Sequence, residues 1–152
     1  MTYHIEINVP VKGNYQAVLA KFERELFEKL SPPGASVDLV RFDGSHKGDI
    51  VHIRLKLFGL IQQDWISEIT EEGDDGQTAF FVDQGTQLPF FLSYWHHKHI
   101  VRKLSNDSSE IIDDIHFRTP WWLPGWLMYP VLWAQFAYRK PIYQKYFGKV
   151  GE

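Results

Sequence analysis

The sequence predicts a single α+β domain in which a strongly curved antiparallel sheet wraps around one long C-terminal helix. The chain has 152 residues, a length typical of one domain with a sizeable core. Its pattern is a strand and a helix, then segments of period two, then a helical C-terminal segment. Strands in succession followed by a helix are typical of α+β layers and not of a parallel βαβ sheet. A twisted sheet around a helix encloses space, and we expect a ligand there.

The first two elements are predicted from the N-terminal residues. Apolar and polar side chains alternate from Tyr3 to Val9, which indicates a half-buried strand. Asn14 is a typical N-cap residue, and the apolar positions after it have helical spacing as far as Leu30. Ser31-Pro32-Pro33-Gly34 cannot continue a helix, so we expect one helix that ends at about Leu30.

After Gly34 the hydrophobic period is two, and the pattern defines five more strands. We expect a hairpin turn at residues 71–76, where the sequence is Glu-Glu-Gly-Asp-Asp-Gly. From about Pro124 to Phe147 the pattern becomes helical, with Pro130 near the start and Pro141 as an interruption. The five strands are residues 49–57, 61–69, 78–83, 93–103 and 110–118.

Composition excludes several classes of function. The net charge is -3, and Lys and Arg never occur in runs longer than two, which argues against nucleic-acid binding. Cysteine is absent, so disulfides and thiolate chemistry are excluded. The first residues do not form a signal peptide, and we expect a cytoplasmic protein. No dinucleotide fingerprint, phosphate loop or serine-hydrolase elbow is present, so we expect no nucleotide cofactor.

Residues 119–138 contain no charged side chain, a length that could just cross a bilayer. Three prolines, at positions 120, 124 and 130, argue against a transmembrane helix. Trp121, Trp122 and Trp126 are of the residue type favoured at the membrane–water boundary, so a transient contact with a membrane surface is one interpretation. The alternatives are that these rings form a lid over a pocket or belong to the core.

The densest group of candidate functional residues is Trp95-His96-His97-Lys98-His99. On a strand, Trp95, His97 and His99 share one face. Asp113 alternates with apolar residues on its own strand, so we expect it inside, paired with His97 or His99. Two His residues on one strand could also bind zinc with Asp113 or Asp83 as a further ligand, but the ligand spacing is not that of a known zinc site, and we expect no metal.

Further inward positions extend this group into a predicted pocket with apolar walls and a few polar groups. Such a pocket serves small-molecule recognition or acid–base chemistry, and the sequence does not separate these uses. Arg139 either points inward, toward Asp113 or a ligand, or lies at the surface. The added ligand-binding candidates are Trp65, Ser67, Phe81, Asp83, Phe117, Leu132, Phe136 and Arg139.

Five motifs, in order along the chain, resemble the START-related helix-grip superfamily, also called SRPBCC, and within it a bacterial cell-cycle/coenzyme-binding branch. They are residues 65–70, 81–83, 89–99, 113–120 and 136–139. The resemblance implies a seven-stranded sheet that grips the C-terminal helix around a deep apolar cavity. It matches Trp95, His97, His99, Asp113, Phe136 and Arg139 to family motifs. The chain departs from the pattern at Leu88 and in the Trp121-Trp122-Leu123-Pro124 run.

These observations lead to three functional hypotheses. The first is the binding or transport of a small hydrophobic molecule, such as a lipid, an isoprenoid or a polyketide-like aromatic. The second is an enzyme of cyclase or dehydratase type, with His97 or His99 as proton carrier and Asp113 as its orienting group. The third is a peripheral membrane protein that uses Trp121, Trp122 and Trp126. We expect a binding protein more than an enzyme, either a monomer or a homodimer.

Overall fold

A computed structural model describes residues 1–31 and 36–151 of the chain. Seven strands form one sheet in the order β1-β7-β6-β5-β4-β3-β2, and each strand is antiparallel to its neighbours. The elements are β1 (Tyr3–Lys12), α1 (Tyr15–Ala20), α2 (Arg24–Lys29), β2 (Ser36–Phe42), β3 (Ile50–Leu57), β4 (Ile61–Asp74), β5 (Thr78–Gln87), β6 (Tyr94–Lys103), β7 (Ser108–Arg118), α3 (Gly125–Ala137) and α4 (Arg139–Phe147).

The predicted fold class is confirmed. The sheet curls into a half-barrel, and the C-terminal helical segment packs against it. Register shifts between Leu39 and Arg41 on β2, and at two places on β4, add to the local twist, as β-bulges do. The N-terminal strand lies beside the last strand, so β1 and β2 form the two edges of the sheet.

The interior contains two clusters of buried apolar side chains. The first surrounds Phe22 and Tyr143, whose rings stack with centroids 6.0 Å apart. The second surrounds Trp95 and Phe136, whose ring centroids are 5.8 Å apart. On the C-terminal segment, Leu132, Phe136 and Tyr143 are all buried. His99 contacts the rings of Phe22 and Phe81 in the first cluster, and His97 contacts those of Trp95 and Phe136 in the second.

The prediction of one helix from Asn14 to Leu30 is wrong. Asn14 caps α1, and its side chain accepts hydrogen bonds from the backbone N–H groups of Gln16 and Ala17. The chain then leaves the helix at Lys21, whose N–H bonds to the carbonyl three residues earlier, and α2 begins at Arg24. Phe22 lies in this break and is buried, so the helical spacing of apolar residues conceals the break. The predicted stop at Pro32, Pro33 and Gly34 lies outside the described residues.

Two further features of the sheet differ from the sequence prediction. The sequence pattern does not indicate strand β2, because it is an edge strand whose side chains are half-buried or exposed. The hairpin turn predicted at residues 71–76 is shorter: β4 continues to Asp74, and the chain turns at Asp75 and Gly76. The acidic residues at positions 71 and 72 are therefore part of a strand, paired with Val82 and Phe81.

The C-terminal helical segment is interrupted at Tyr138, where α3 ends and α4 begins. Pro141 explains the interruption, since it has no N–H to donate to the carbonyl of Ala137. Pro130 lies inside α3. Within the described residues, no helix combines the length and apolar character needed to cross a membrane.

Candidate functional site

Two histidines of β6 and two aspartates of the strands beside it form a buried group, here called the His–Asp cluster: Asp83, His97, His99 and Asp113. His97 Nε2 lies 2.8 Å from Asp113 Oδ1, and His99 Nε2 lies 2.5 Å from Asp83 Oδ2. The side chains of His97, His99 and Asp113 are almost inaccessible, at 3%, 2% and 1% exposure. Asp113 is buried, as predicted, and of its two predicted partners, His97 and His99, it bonds to His97.

The hydrogen bonds of the cluster run diagonally across the sheet. By strand register His97 lies opposite Asp83, and His99 lies opposite Asp113. His97 nevertheless bonds to Asp113, and His99 bonds to Asp83. The two rings stack between the carboxylates with centroids 3.6 Å apart. The Nδ1 atom of each imidazole lies near the aspartate to which that ring is not bonded: His97 Nδ1 is 3.5 Å from Asp83, and His99 Nδ1 is 3.9 Å from Asp113.

Burial and mutual contacts set the charges of the cluster. Burial alone raises the pKa of the Asp113 carboxyl, but the hydrogen bond and charge of His97, with Arg139 and His99 nearby, lower that pKa to about 2. The pKa of Asp83 is also lowered, because the contacts with His99, His97 and Trp95 exceed the opposing effect of burial. Burial lowers the pKa of His99 to about 4, together with the charge of His97. At neutral pH both aspartates are ionised and His99 is uncharged.

Arg139 is the basic residue beside the cluster. Its side chain is 13% exposed, and its Nη1 lies 3.8 Å from Asp113 Oδ1. The guanidinium lies over the ring of Phe136 at 4.3 Å. Of the two positions left open for Arg139, the structure shows the inward one. The Nε and Nη1 atoms are buried without a hydrogen-bond acceptor, and the Tyr143 hydroxyl, also buried, has a pKa raised by burial.

A small cavity of about 110 Å³, here called the inner chamber, adjoins the cluster. Its walls combine aromatic side chains with the polar atoms of Ser67, Asp83, His97, His99 and Arg139. Asp113 lies behind His97 and does not line the chamber. The aromatic and apolar wall is formed by Phe27, Phe42, Val51, Ile53, Trp65, Ile69, Phe81, Trp95 and Phe136.

A larger cavity of about 670 Å³, here called the apolar groove, lies between α3 and the β3–β4 hairpin. Trp65 and Gln135 line both the groove and the inner chamber, so the two spaces adjoin at these residues. A further cavity of about 100 Å³ near Val37 and Leu39 shares the same two residues. The groove is lined by Leu55, Leu57, Phe58, Trp65, Phe90, Phe91, Trp122, Leu123, Met128, Val131, Leu132, Ala134, Gln135 and Tyr138.

The predicted ligand-binding residues therefore fall into three groups. Most line the inner chamber, and Leu132 lines the groove. Phe117 lines neither space; it is fully buried and stacks on Tyr3 at 5.5 Å. Sequence reasoning missed Gln135 and most of the groove, including Phe58, Phe91 and Met128. One sequence signal for the groove was available: Phe58 is a large aromatic residue in a predicted turn, where a ring is expected to be exposed to solvent. In the structure it is 88% exposed and lines the groove.

The ligand atoms of Asp83, His97 and His99 lie within 4.8 Å of one another, close enough to hold a metal ion. However, the Arg139 guanidinium beside Asp113 would repel a cation in this buried position. The arrangement is better suited to hydrogen bonding or proton transfer than to metal binding.

No protein-family model and no curated protein sequence matches this chain. Solved structures do match. A norcoclaurine synthase point mutant from Thalictrum flavum is 13% identical, with TM-score 0.64 and coverage of 96% of each chain. The Zhui aromatase/cyclase from Streptomyces sp. R1128 is 14% identical, with TM-score 0.57, over 79% of this chain and 70% of that one.

A START superfamily protein from Mycobacterium smegmatis is 13% identical, with TM-score 0.53, and the match covers 89% of this chain and 87% of that chain. At such identities the likeness concerns the fold. The chain has the helix-grip fold of START-related proteins, a fold whose members include both enzymes and proteins without a stated reaction.

Proposed function

We propose that this protein binds and carries a small hydrophobic molecule, with the apolar body of the ligand in the groove and one polar group in the inner chamber. The observation that carries the proposal is that Trp65 and Gln135 join an apolar groove of about 670 Å³ to a chamber with a buried polar cluster. Pockets with apolar walls and a few convergent polar groups are typical small-molecule sites. Lipids, isoprenoids and polyketide-like aromatics have this composition.

The groove provides sufficient apolar contact for useful affinity. A ligand that buries about 250 Å² of apolar surface gains about 6 kcal/mol at about 25 cal/mol per Å². The loss of translational and rotational freedom offsets part of that gain. Side chains on both walls of the groove are apolar, Leu55 and Leu57 on β3 and Met128 and Leu132 on α3.

The inner chamber favours a neutral polar group over a carboxylate. His99 Nδ1 is a buried acceptor without a donor, because its Nε2–H donates to ionised Asp83. Arg139 offers buried donors without an acceptor. A ligand hydroxyl could satisfy both kinds of group. Two carboxylates already oppose one guanidinium, so a ligand anion would meet no surplus of positive charge.

Within the superfamily, we propose the cell-cycle/coenzyme-binding branch. The support is the matched set of Trp95, His97, His99, Asp113 and Arg139, which the fold assembles around one chamber or directly behind it. A ligand recovered from the purified protein would test this assignment together with the proposed function.

Native mass spectrometry of the freshly purified protein tests the proposal. We expect a copurified apolar compound that dissociates on denaturation. Met128→Trp fills the groove and should abolish copurification, whereas Leu127→Trp, at the neighbouring exposed position, should not. Absence of any copurified compound, together with no binding of long-chain alcohols or isoprenoid alcohols to the ligand-free protein, would contradict the proposal.

A second candidate function is catalysis, because both histidines of the buried His–Asp pairs line the chamber, with the uncharged His99 as a proton acceptor. An enzyme of cyclase or dehydratase type would turn over the copurified compound or a close relative. His99→Gln would then reduce turnover by orders of magnitude while the ligand still binds. A carrier would show no turnover in either form.

A third candidate is contact with a membrane surface, favoured by exposed aromatics at one end of the groove. Phe58 and Trp121 are 88% and 95% exposed, and Trp122 and Phe90, which line the groove, stack on each other. Rings of this kind favour the membrane interface. The protein should then sediment with phosphatidylcholine liposomes, and Trp121→Ala with Trp122→Ala should prevent this. Val40→Ala, at an exposed position on β2 that does not line the groove, should not.

A further inference from the structure

The outer face of the sheet has a second group of histidines, distinct from the His–Asp cluster. Asp114 and His116 are two residues apart on β7, so both point away from the interior. His4 on β1 lies opposite His116 by strand register. We call His4, Asp114 and His116 the outer triad. Their side chains are partly exposed, at 49%, 24% and 40%.

The outer triad is compact enough to hold one metal ion. His4 Nε2 lies 2.6 Å and His116 Nδ1 lies 3.7 Å from the same oxygen, Asp114 Oδ1. One ligand atom from each residue lies within 4.8 Å of those of the other two. Tetrahedral zinc sites have bonds of about 2.0–2.2 Å, which places ligand atoms roughly 3.5 Å apart. The His4 and His116 side chains are partly exposed, so their rings have room to turn their nitrogens toward one ion.

Strand pairing fixes the backbones of the ligands, whereas the imidazoles must rotate out of their stack to share one ion. The rings of His4 and His116 stack with centroids 4.3 Å apart and planes 12° apart. The partners lie on two hydrogen-bonded strands, so their backbones are fixed. His96 on β6 is opposite His116, with ring centroids 6.1 Å apart, which places a fourth imidazole nearby.

The charges around the triad are compatible with a cation. Glu6 on β1 lies opposite Asp114 and adds a second carboxylate to this face. Lys98 on β6 also lies opposite Asp114, but its ammonium lies over the ring of Phe80 at 4.3 Å. No guanidinium contacts the triad among the ion pairs of the described residues, in contrast to Arg139 at the His–Asp cluster.

We propose that the outer triad binds one divalent transition-metal ion of the zinc class. His4 and His116 would supply nitrogen ligands, Asp114 an oxygen ligand, and water or His96 the fourth position. The site joins the edge strand β1 to β7, so metal binding would stabilise the pairing of the N-terminal strand with the sheet. It is on the opposite face from the chamber and does not depend on the proposed ligand function.

Isothermal titration calorimetry with ZnCl₂ tests the site on untagged protein that has been stripped with EDTA. We expect one equivalent of Zn²⁺ to bind, and a melting temperature that rises with Zn²⁺ concentration. His116→Ala and Asp114→Asn should each weaken binding at least tenfold. His46→Ala, which removes an exposed imidazole outside the triad, should leave the isotherm unchanged.

Two results would overturn the proposal. One is no heat and no melting shift up to 1 mM Zn²⁺ in the folded parent protein. The other is binding that survives His116→Ala but is lost in His99→Gln, which would place the ion in the interior. His4→Ala provides an independent check if the β7 variants fold poorly, because His4 is on the edge strand. Co²⁺ absorption should show a change in ligand field with the parent protein and none with His4→Ala.

Discussion

At the scale of single residues, the most consequential feature is a buried carboxylate that depends on its neighbours for its charge. Asp113 is almost completely buried, and it accepts a hydrogen bond from His97 and lies near Arg139. Isolated in such an environment, a carboxylate would take up a proton or destabilise the fold. The interactions that keep it ionised therefore contribute to folding as well as to the chemistry of the chamber.

Asp113→Asn should destabilise the protein, because the amide keeps the size of the side chain but removes the negative charge beside Arg139. We expect a loss of about 2 kcal/mol in the free energy of unfolding, measured by urea denaturation. Asp114→Asn is the matched control at the next position, on the exposed face, and should cost less than about 1 kcal/mol in the presence of EDTA. Equal effects of the two substitutions would contradict the prediction.

The depressed pKa of His99 predicts a pH dependence of stability. Between the unfolded value of about 6.5 and the folded value of about 4, the unfolded chain binds a proton that the folded protein does not. Stability must therefore fall as the pH is lowered through this window. The lowered pKa of Asp113 adds a further loss below pH 4, down to about pH 2.

Urea denaturation at pH 7, 5.5 and 4.5 measures this effect. We expect the parent protein to lose on the order of 2 kcal/mol over this range. His99→Gln retains a donor for Asp83 but does not titrate, so its stability should change less over the same range. His46→Gln, at an exposed imidazole, should follow the parent protein. A parent profile that is flat or rises toward acid would contradict the assignment.

Alternation alone predicted the inward position of Asp113, because the residue shares its face of β7 with Ile115 and Phe117. It did not predict that Asp83 is the partner of His99. That contact depends on the register between β5 and β6 and also on the diagonal direction of the side chains, which joins His99 to Asp83 although Asp83 lies opposite His97. Register depends on turns and packing along the whole hairpin, and no local sequence pattern encodes it.

At the scale of elements, strand β7 contributes side chains to a different group on each of its faces. On the inner face Asp113 bonds to His97, and on the outer face Asp114 and His116 form the outer triad with His4 of β1. The C-terminal segment is divided by Pro141 into α3, which lines the groove, and α4, which packs on the first core cluster. The alternation and the prolines were visible in the sequence, whereas the break in the N-terminal helical region was not.

The start of α3 depends on a close approach that only glycine allows. A Cβ atom on Gly125 would lie 2.0 Å from Cε2 of Tyr3, whose ring is held by stacking on Phe117. Gly125→Ala should therefore destabilise the protein by about 1–3 kcal/mol, although alanine favours helix formation by about 1 kcal/mol. Thermal unfolding measures the sign of the change.

A double-mutant cycle isolates the cause of that effect. Tyr3→Leu in the same chain removes the clashing ring atoms, so Gly125→Ala should cost less in that background than in the parent protein. If the cost of Gly125→Ala is the same in both backgrounds, contact with Tyr3 does not set the requirement for glycine.

At the scale of the whole molecule, the curved sheet and its helix do not enclose one large hollow. Trp95 and Phe136 pack across the centre and leave a small chamber on one side of Trp65 and a wide groove on the other. The fold class followed from the order of strands and helices along the chain. The division of the interior into a chamber and a groove did not follow from that order, because it depends on how a few large rings pack against one another.

The two spaces form one binding site only if a ligand can extend past Gln135. Gln135→Phe should obstruct that passage, since Gln135 lines both the groove and the chamber. We expect at least a tenfold loss of affinity for a long-chain alcohol whose hydroxyl reaches the chamber, measured by displacement of a fluorescent fatty alcohol.

A short apolar probe that occupies the groove alone should bind Gln135→Phe and the parent protein with similar affinity. Gln144→Phe, on α4 and outside both spaces, is the control and should leave both affinities unchanged. The contrast between the two probes separates a blocked passage from a damaged fold, because general destabilisation would weaken the binding of both. If Gln135→Phe binds the long alcohol as well as the parent does, the groove alone holds the ligand, and the His–Asp cluster is then a structural element of the core.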